Sequence, residues 1–132
     1  MIIDWFSESP SDPPVLYERR RGADGVLHER YIMSEDDDYV QPFCWVDQAS
    51  PTHVLRRLQR LGAEIHYDIS AKGLHNQNLW KVTVSHPNLL WELKDKCPRW
   101  TYEADVNYLD QILLTNYPDE IPDFHPRKWY FD

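Results

Sequence analysis

The chain has 132 residues, 42% of them hydrophobic and 14% aromatic, and its 22 acidic against 14 basic residues give a net charge of -8. That length fits one domain, or one domain with an attached arm, and buries enough surface to hold a core without disulfides or metal. The aromatic content excludes a disordered tail, a collagen or a coiled coil, and the acidity argues against strong duplex binding, which runs on cations displacing phosphate counterions.

No apolar run approaches the roughly 18 residues of a membrane span. Met1-Ile2-Ile3-Asp4 has neither the basic start nor the apolar stretch of a signal peptide. Cys44 and Cys97 are too few for a disulfide framework or a four-ligand zinc site. These features predict a reduced, intracellular protein without a membrane partner.

In chain order, Met1 to Phe6 is apolar and strand-like, and Ser7 to Pro14 is a Ser/Pro/Asp loop. Val15 to Arg21 and Val26 to Met33 are strands joined through Gly22-Ala23-Asp24-Gly25, which reads as a hairpin. Glu35 to Asp38 breaks the pattern, and Tyr39 to Asp47 is strand-like again. Ser50-Pro51 predicts a helix start, with Ser50 as N-cap and Pro51 as first helical residue. Its apolar stripe is Val54, Leu55, Leu58 and Leu61, and Gly62 stops it.

Ala63 to Ile69 alternates, which puts Ile65, Tyr67 and Ile69 on one face. Leu79 to Ser85 is a strand with Trp80, Val82 and Val84 facing one way. His86-Pro87 opens a second helix with the stripe Leu89, Leu90, Leu93 and Cys97, and Pro98 ends it. Arg99 to Glu103 is a strand, and Tyr108 to Thr115 has the makings of a short helix. Tyr117 to Pro126 reads as an extended connector, and Lys128 to Asp132 as an apolar strand that stops abruptly, as if cut from something longer.

The expected fold class is α+β. An N-terminal β-hairpin arm (1–38) precedes a ferredoxin-like β-α-β-β-α-β sandwich (39–106), followed by a C-terminal connector and strand (107–132).

Residues with chemical potential are scattered. The six His, at 28, 53, 66, 75, 86 and 125, include no i, i+4 helical pair and no nearby Cys, so surface or capping roles are expected. Glu35 to Asp38 lacks the alternating ligands and the Gly of a calcium loop. There is no G-x-S-x-G, no phosphate-binding Gly loop and no Cys-His nucleophile pair, so no complete active site is expected in this chain.

The open face of a ferredoxin-like sheet can stack bases on aromatics. Phe43 and Trp45 share one strand face with Lys81 expected nearby, and their alternative fate is packing against the N-terminal arm. Arg19-Arg20-Arg21 is a candidate phosphate contact, the alternative being a solvated strand. On these residues alone, a small-molecule-binding regulatory domain of ferredoxin-like topology and a stand-alone acidic interaction protein both stay open.

Trp100-Thr101-Tyr102-Glu103-Ala104-Asp105-Val106 resembles the "(T)YEAD(I/V)" segment of family-B DNA polymerases, above all of the archaeal and related viral types. Trp129-Tyr130-Phe131-Asp132 resembles the start of that family's "FDIE" strand. Leu79-Trp80-Lys81-Val82 with Ser85-His86-Pro87 resembles its "WKLY…HP" segment. Gln41-Pro42-Phe43-Cys44-Trp45 resembles its "EPYFYAL" strand, and Met1-Ile2-Ile3-Asp4 its opening. The resemblance spans the chain in consistent order.

It implies the N-terminal domain of such a polymerase, cut at the start of the 3′-5′ exonuclease domain. That domain acts in DNA replication. It guides the single-stranded DNA template and packs on the remaining exonuclease and polymerase domains, which perform nucleotidyl transfer with Mg²⁺. Asp132 would be the first metal-ligating exonuclease carboxylate, and it needs a Glu two residues further on. Two-metal cleavage requires several carboxylates, so this chain is expected to be inactive alone and to hold no cofactor.

The resemblance also implies a template-base pocket, which archaeal members use to read uracil. The matching positions are Phe6 or Ser7, Pro42, Phe43, Pro87 to Leu90, Val106, Asn107, Tyr108 and Gln111. Ser7, Asn107 and Gln111 stand where the family has an aromatic, a Pro and an Arg.

Overall fold

The computed structural model describes residues 2–9, 12–104 and 106–117. They form two compact units. The first comprises residues 1–6, 15–40 and 107–132 as far as described, and the second residues 7–14 and 41–106.

The first unit is an antiparallel sheet of β1 (Ile2–Phe6), β2 (Val15–Arg21) and β3 (Leu27–Ile32), in that order, with α3 (Tyr108–Asn116). The expected hairpin of β2 and β3 is present. Gly25, at φ 79°, takes the left-handed turn position, and Asp24 Oδ1 accepts from Val26 N–H at 2.9 Å. The N-terminal residues extend the hairpin to a third strand, with Ile2 opposite Arg19 and Phe6 opposite Val15.

Strand alternation then sorts the side chains. Leu16 and Ile32 are buried with Val40, Tyr108, Ile112 and Tyr117, and Ile3 and Trp5 pack against them. Asn107 caps α3 by accepting from Leu109 N–H at 2.8 Å. The Tyr108 hydroxyl donates to the Val40 carbonyl inside this core. Glu18 is 5% exposed, and its carboxylate faces the Arg30 guanidinium at 3.2 Å.

The second unit has β4 (Phe43–Asp47), α1 (Thr52–Arg60), β5 (Glu64–Lys72), β6 (Asn78–Thr83), α2 (Pro87–Lys96) and β7 (Thr101–Tyr102). The strand order is β5-β6-β4-β7, antiparallel throughout. This is the expected ferredoxin-like topology. Cys44, Val46, Val82 and Val84 meet Val54 and Leu58 of α1 and Leu90 and Leu93 of α2, so both helices cover one sheet face. Leu55 and Trp80 pack at the edge of that core.

Local differences from the sequence reading have physical causes. Ser50 does not cap α1: its hydroxyl donates to the Asp47 carbonyl at 2.6 Å, and Pro51, at ψ 151°, is the cap residue itself. The strand expected from Tyr39 starts at Phe43, and Tyr39 and Val40 belong to the core of the first unit. The alternation expected through Ile69 fails because β5 shifts register between His66 and Ser70. Ile65 is therefore buried, whereas Tyr67 and Ile69 are exposed.

The strand expected over Arg99 to Glu103 reduces to Thr101–Tyr102. Gly62, at φ 100°, ends α1 as expected. Its N–H donates to the Gln59 carbonyl and that of Ala63 to the Leu58 carbonyl, a Schellman closure. The connector and last strand expected over Tyr117 to Asp132 lie outside the described residues, apart from Tyr117.

Candidate nucleic-acid interface

Register decides which side chains share the uncovered face of the second unit. Residues paired directly across antiparallel strands point the same way. Phe43 pairs with Thr83, Trp45 with Lys81 and with Tyr102, and Glu64 and His66 with Thr83 and Lys81. Cys44 and Val46 point to the helices, so Phe43, Trp45, Lys81 and Tyr102 face away from them. Phe43 and Trp45 meet edge-to-face at 6.2 Å between centroids, and Lys81 Nζ lies 4.6 Å over the Phe43 ring. The expected grouping of these three residues is present.

Beside it the structure has a groove that sequence reasoning missed. Its volume is about 710 Å³, within the range of small-molecule clefts. Trp45 and Tyr102 flank it, Leu79 forms a buried floor, and the β5–β6 loop contributes Lys72, Leu74 and His75. Glu103 completes the rim with a left-handed backbone, φ 62°. The signal available in sequence was the pairing of Trp45 with an aromatic from the last strand, and that needs the strand order.

The first unit carries a second aromatic surface. Its outer sheet face holds Phe6, Tyr17 and Tyr31, with ring centroids 6.3 Å apart for Phe6 and Tyr31 and 5.4 Å for Tyr17 and Tyr31. Alternation divides the three arginines. Arg19 and Arg21 share this face with Tyr17, and Arg20 points to the other. Arg21 Nη1 donates to the Gly25 carbonyl at 2.6 Å, so it is tied to the turn.

The residues of the implied base pocket are distributed over both units. Pro42, Phe43, Pro87, Leu90 and Val106 belong to the second, and Phe6, Asn107, Tyr108 and Gln111 to the first. Pro42, Pro87, Leu90, Tyr108 and Gln111 are buried. Phe43 and Val106 are partly buried, and Phe6 and Asn107 are exposed. Tyr108, one of the positions matching the implied base pocket, is a core residue of the first unit. It is 4% exposed because its ring fills the first core edge-on to Trp5, 5.9 Å away. Leu90 belongs to the helix–sheet core.

Titratable groups here are structural. Burial pushes the Cys44 thiol up to about 12, and the nearby Glu103 carboxylate adds to that. Burial also raises the Cys97 thiol, so neither is a nucleophile at neutral pH. Burial holds His86 below the ordinary imidazole value. Its Nδ1 accepts from Asn88 N–H at 3.1 Å, which caps α2, and its Nε2 lies 2.9 Å from Ser7 Oγ.

The acidic run is a turn rather than a cation loop. Asp36 Oδ2 accepts from Met33 N–H at 2.7 Å, and Asp38 pairs with Arg30 at 2.9 Å. Among the described residues no group of three or more His, Cys, Asp or Glu is placed to hold a metal ion. Asp132 lies outside them. The donor set for Mg²⁺ is thus not assembled by the described residues. Among the described residues no helix is long and apolar enough to cross a membrane.

No family model matches the chain, and no curated protein does. A solved structure does match: the family B DNA polymerase from the hyperthermophilic archaeon Pyrobaculum calidifontis aligns over 86% of this chain, with a TM-score of 0.61 and 13% identity. This chain has the fold of one segment of that polymerase. It spans 15% of that protein's length. At such identity the likeness concerns the fold.

Proposed function

We propose that this chain is the N-terminal module of a family-B DNA polymerase, which guides single-stranded template and scaffolds the exonuclease and polymerase domains. One observation carries the reading. The ordered sequence motifs resemble this family, and a backbone comparison independently meets a family B polymerase over 86% of the chain.

Under this reading the exposed aromatics and the Arg19 and Arg21 side chains meet template, and the module has no chemistry of its own. Phe6, Pro42, Phe43, Pro87, Leu90, Val106, Asn107, Tyr108 and Gln111 stand at the family's base pocket. The burial of Pro42, Pro87, Leu90, Tyr108 and Gln111 restricts any direct base contact by these residues to the remainder. Asp132 becomes a metal ligand only together with carboxylates from beyond it.

The experiment is to determine the coding sequence beyond Asp132 and to assay the polypeptide it encodes. A following Ile-Glu or Leu-Glu, later polymerase motifs and template-directed synthesis that weakens when residues 1–117 are deleted are the expected results. A stop codon after Asp132, in a chain that stimulates no polymerase, would overturn the reading.

A further inference from the structure

We propose that the groove flanked by Trp45 and Tyr102 is a stacking site for consecutive bases of single-stranded DNA. The proposal deepens the polymerase-module reading and takes from it the choice of DNA.

The geometry supplies what unstacked bases require. Trp45 and Tyr102 are direct register partners on β4 and β7, so their Cβ atoms stand about 5 Å apart on one face. Two aromatic side chains in register offer stacking faces for any base, because every base has a π-face. The cleft, about 710 Å³, admits a nucleotide with room for its neighbour. Leu79 gives a buried apolar floor, and Leu74, fully exposed at the loop, lies alongside.

Charge is arranged to receive bases in the groove and phosphates at its edges. Lys72 stands on the rim, and Lys81 lies next to Trp45 in register. Consecutive bases of one strand can engage both Trp45 and Tyr102, which a single free nucleotide cannot. Glu103 repels phosphate, but its carboxylate accepts hydrogen bonds from base N–H groups. Its left-handed backbone is a conformation that non-Gly residues seldom adopt and that concentrates at ligand sites. A paired duplex hides its base faces, and the chain's net charge of -8 opposes dense phosphate. A single strand is therefore the occupant that fits.

Fluorescence anisotropy of a fluorescein-labelled oligothymidylate with the full chain in low salt tests the site. The double variant Trp45→Leu, Tyr102→Leu keeps the face apolar and should lose about tenfold or more in affinity with an unchanged thermal melt. Tyr102→Phe keeps the ring and should bind as wild type. Lys72→Gln should lower the slope of log affinity against log salt by about one contact.

Photocrosslinking with 5-iodouracil oligonucleotides should label the peptides carrying Trp45 or Tyr102. Thymidine monophosphate should compete only at far higher concentration than the strand. Equal competition by the monophosphate would make the groove a free-nucleotide site and overturn the proposal. Undiminished binding by the double variant, or crosslinks confined to the Arg19 to Arg21 segment, would overturn the groove and leave the polymerase module standing. No binding by wild type would overturn the groove as well. The module itself is judged separately, by the coding sequence and synthesis assay above.

Discussion

The two units solve the same problem with different means. The ferredoxin-like unit closes two amphipathic helices over one sheet face, and its core is aliphatic and sulfur: Val46, Leu58, Val82, Leu93 and Cys44 are all sealed. The three-stranded unit has a smaller core among the described residues. It relies on aromatic and polar anchors: Tyr108 reaching the Val40 carbonyl, Asn107 capping α3, and the Glu18–Arg30 pair. A large aliphatic core tolerates few changes of volume, whereas a small one with polar ties depends on each tie being satisfied.

The largest effect expected of a single substitution is Leu58→Ala. This side chain is fully buried between helix and sheet, and its removal should cost about 2–5 kcal/mol. Leu16→Ala in the first unit should fall nearer the lower end of that range, about 2–3 kcal/mol, because a smaller core collapses more easily into the space. Site-resolved hydrogen exchange reads the two units separately. A larger loss for Leu16→Ala would break the comparison.

Tyr108→Phe sharpens the polar side of it. Leaving the buried Val40 carbonyl without its donor should destabilise the first unit by about 1–2 kcal/mol, measured by urea titration. The same change at Tyr67, whose ring lies exposed against Trp80, should have almost no effect.

Arg30→Ala should cost about 1 kcal/mol. It strips the buried Glu18 carboxylate of its partner, but the guanidinium is half exposed and water replaces part of the loss.

The smallest effect is a pH dependence in the second unit. His86 has a folded pKa below its unfolded value of about 6.5. Its contribution is therefore complete above that pH. It is lost as pH falls through the lower folded value, because the unfolded chain takes up the proton first. His86→Asn keeps an N-cap acceptor and should flatten the thermal stability profile below about pH 6.5. A profile as steep as wild type would assign the acid sensitivity to other groups.

Sequence alone determined the second unit well. Helix stripes and stop signals are local: Leu58 and Leu93 recur at helical spacing, Gly62 and Pro98 end their helices, and His86-Pro87 opens one. These signals fixed the element order, and with only a few ways to close β-α-β-β-α-β, they fixed the topology. The alternation of Phe43 and Trp45 with Cys44 and Val46 gave the sheet its two faces.

Tertiary structure decided the rest, because it depends on pairing between distant residues. That Ile2 to Phe6 joins the hairpin, that Tyr108 lies in the core of the first unit, and that β5 slips register after His66 all follow from partners far along the chain. The groove is the clearest case. Trp45 and Tyr102 lie 57 positions apart, and only the placement of β7 beside β4 makes them neighbours. Local propensity has no term for such a pairing, which is set by where the whole chain can bury its apolar surface at once.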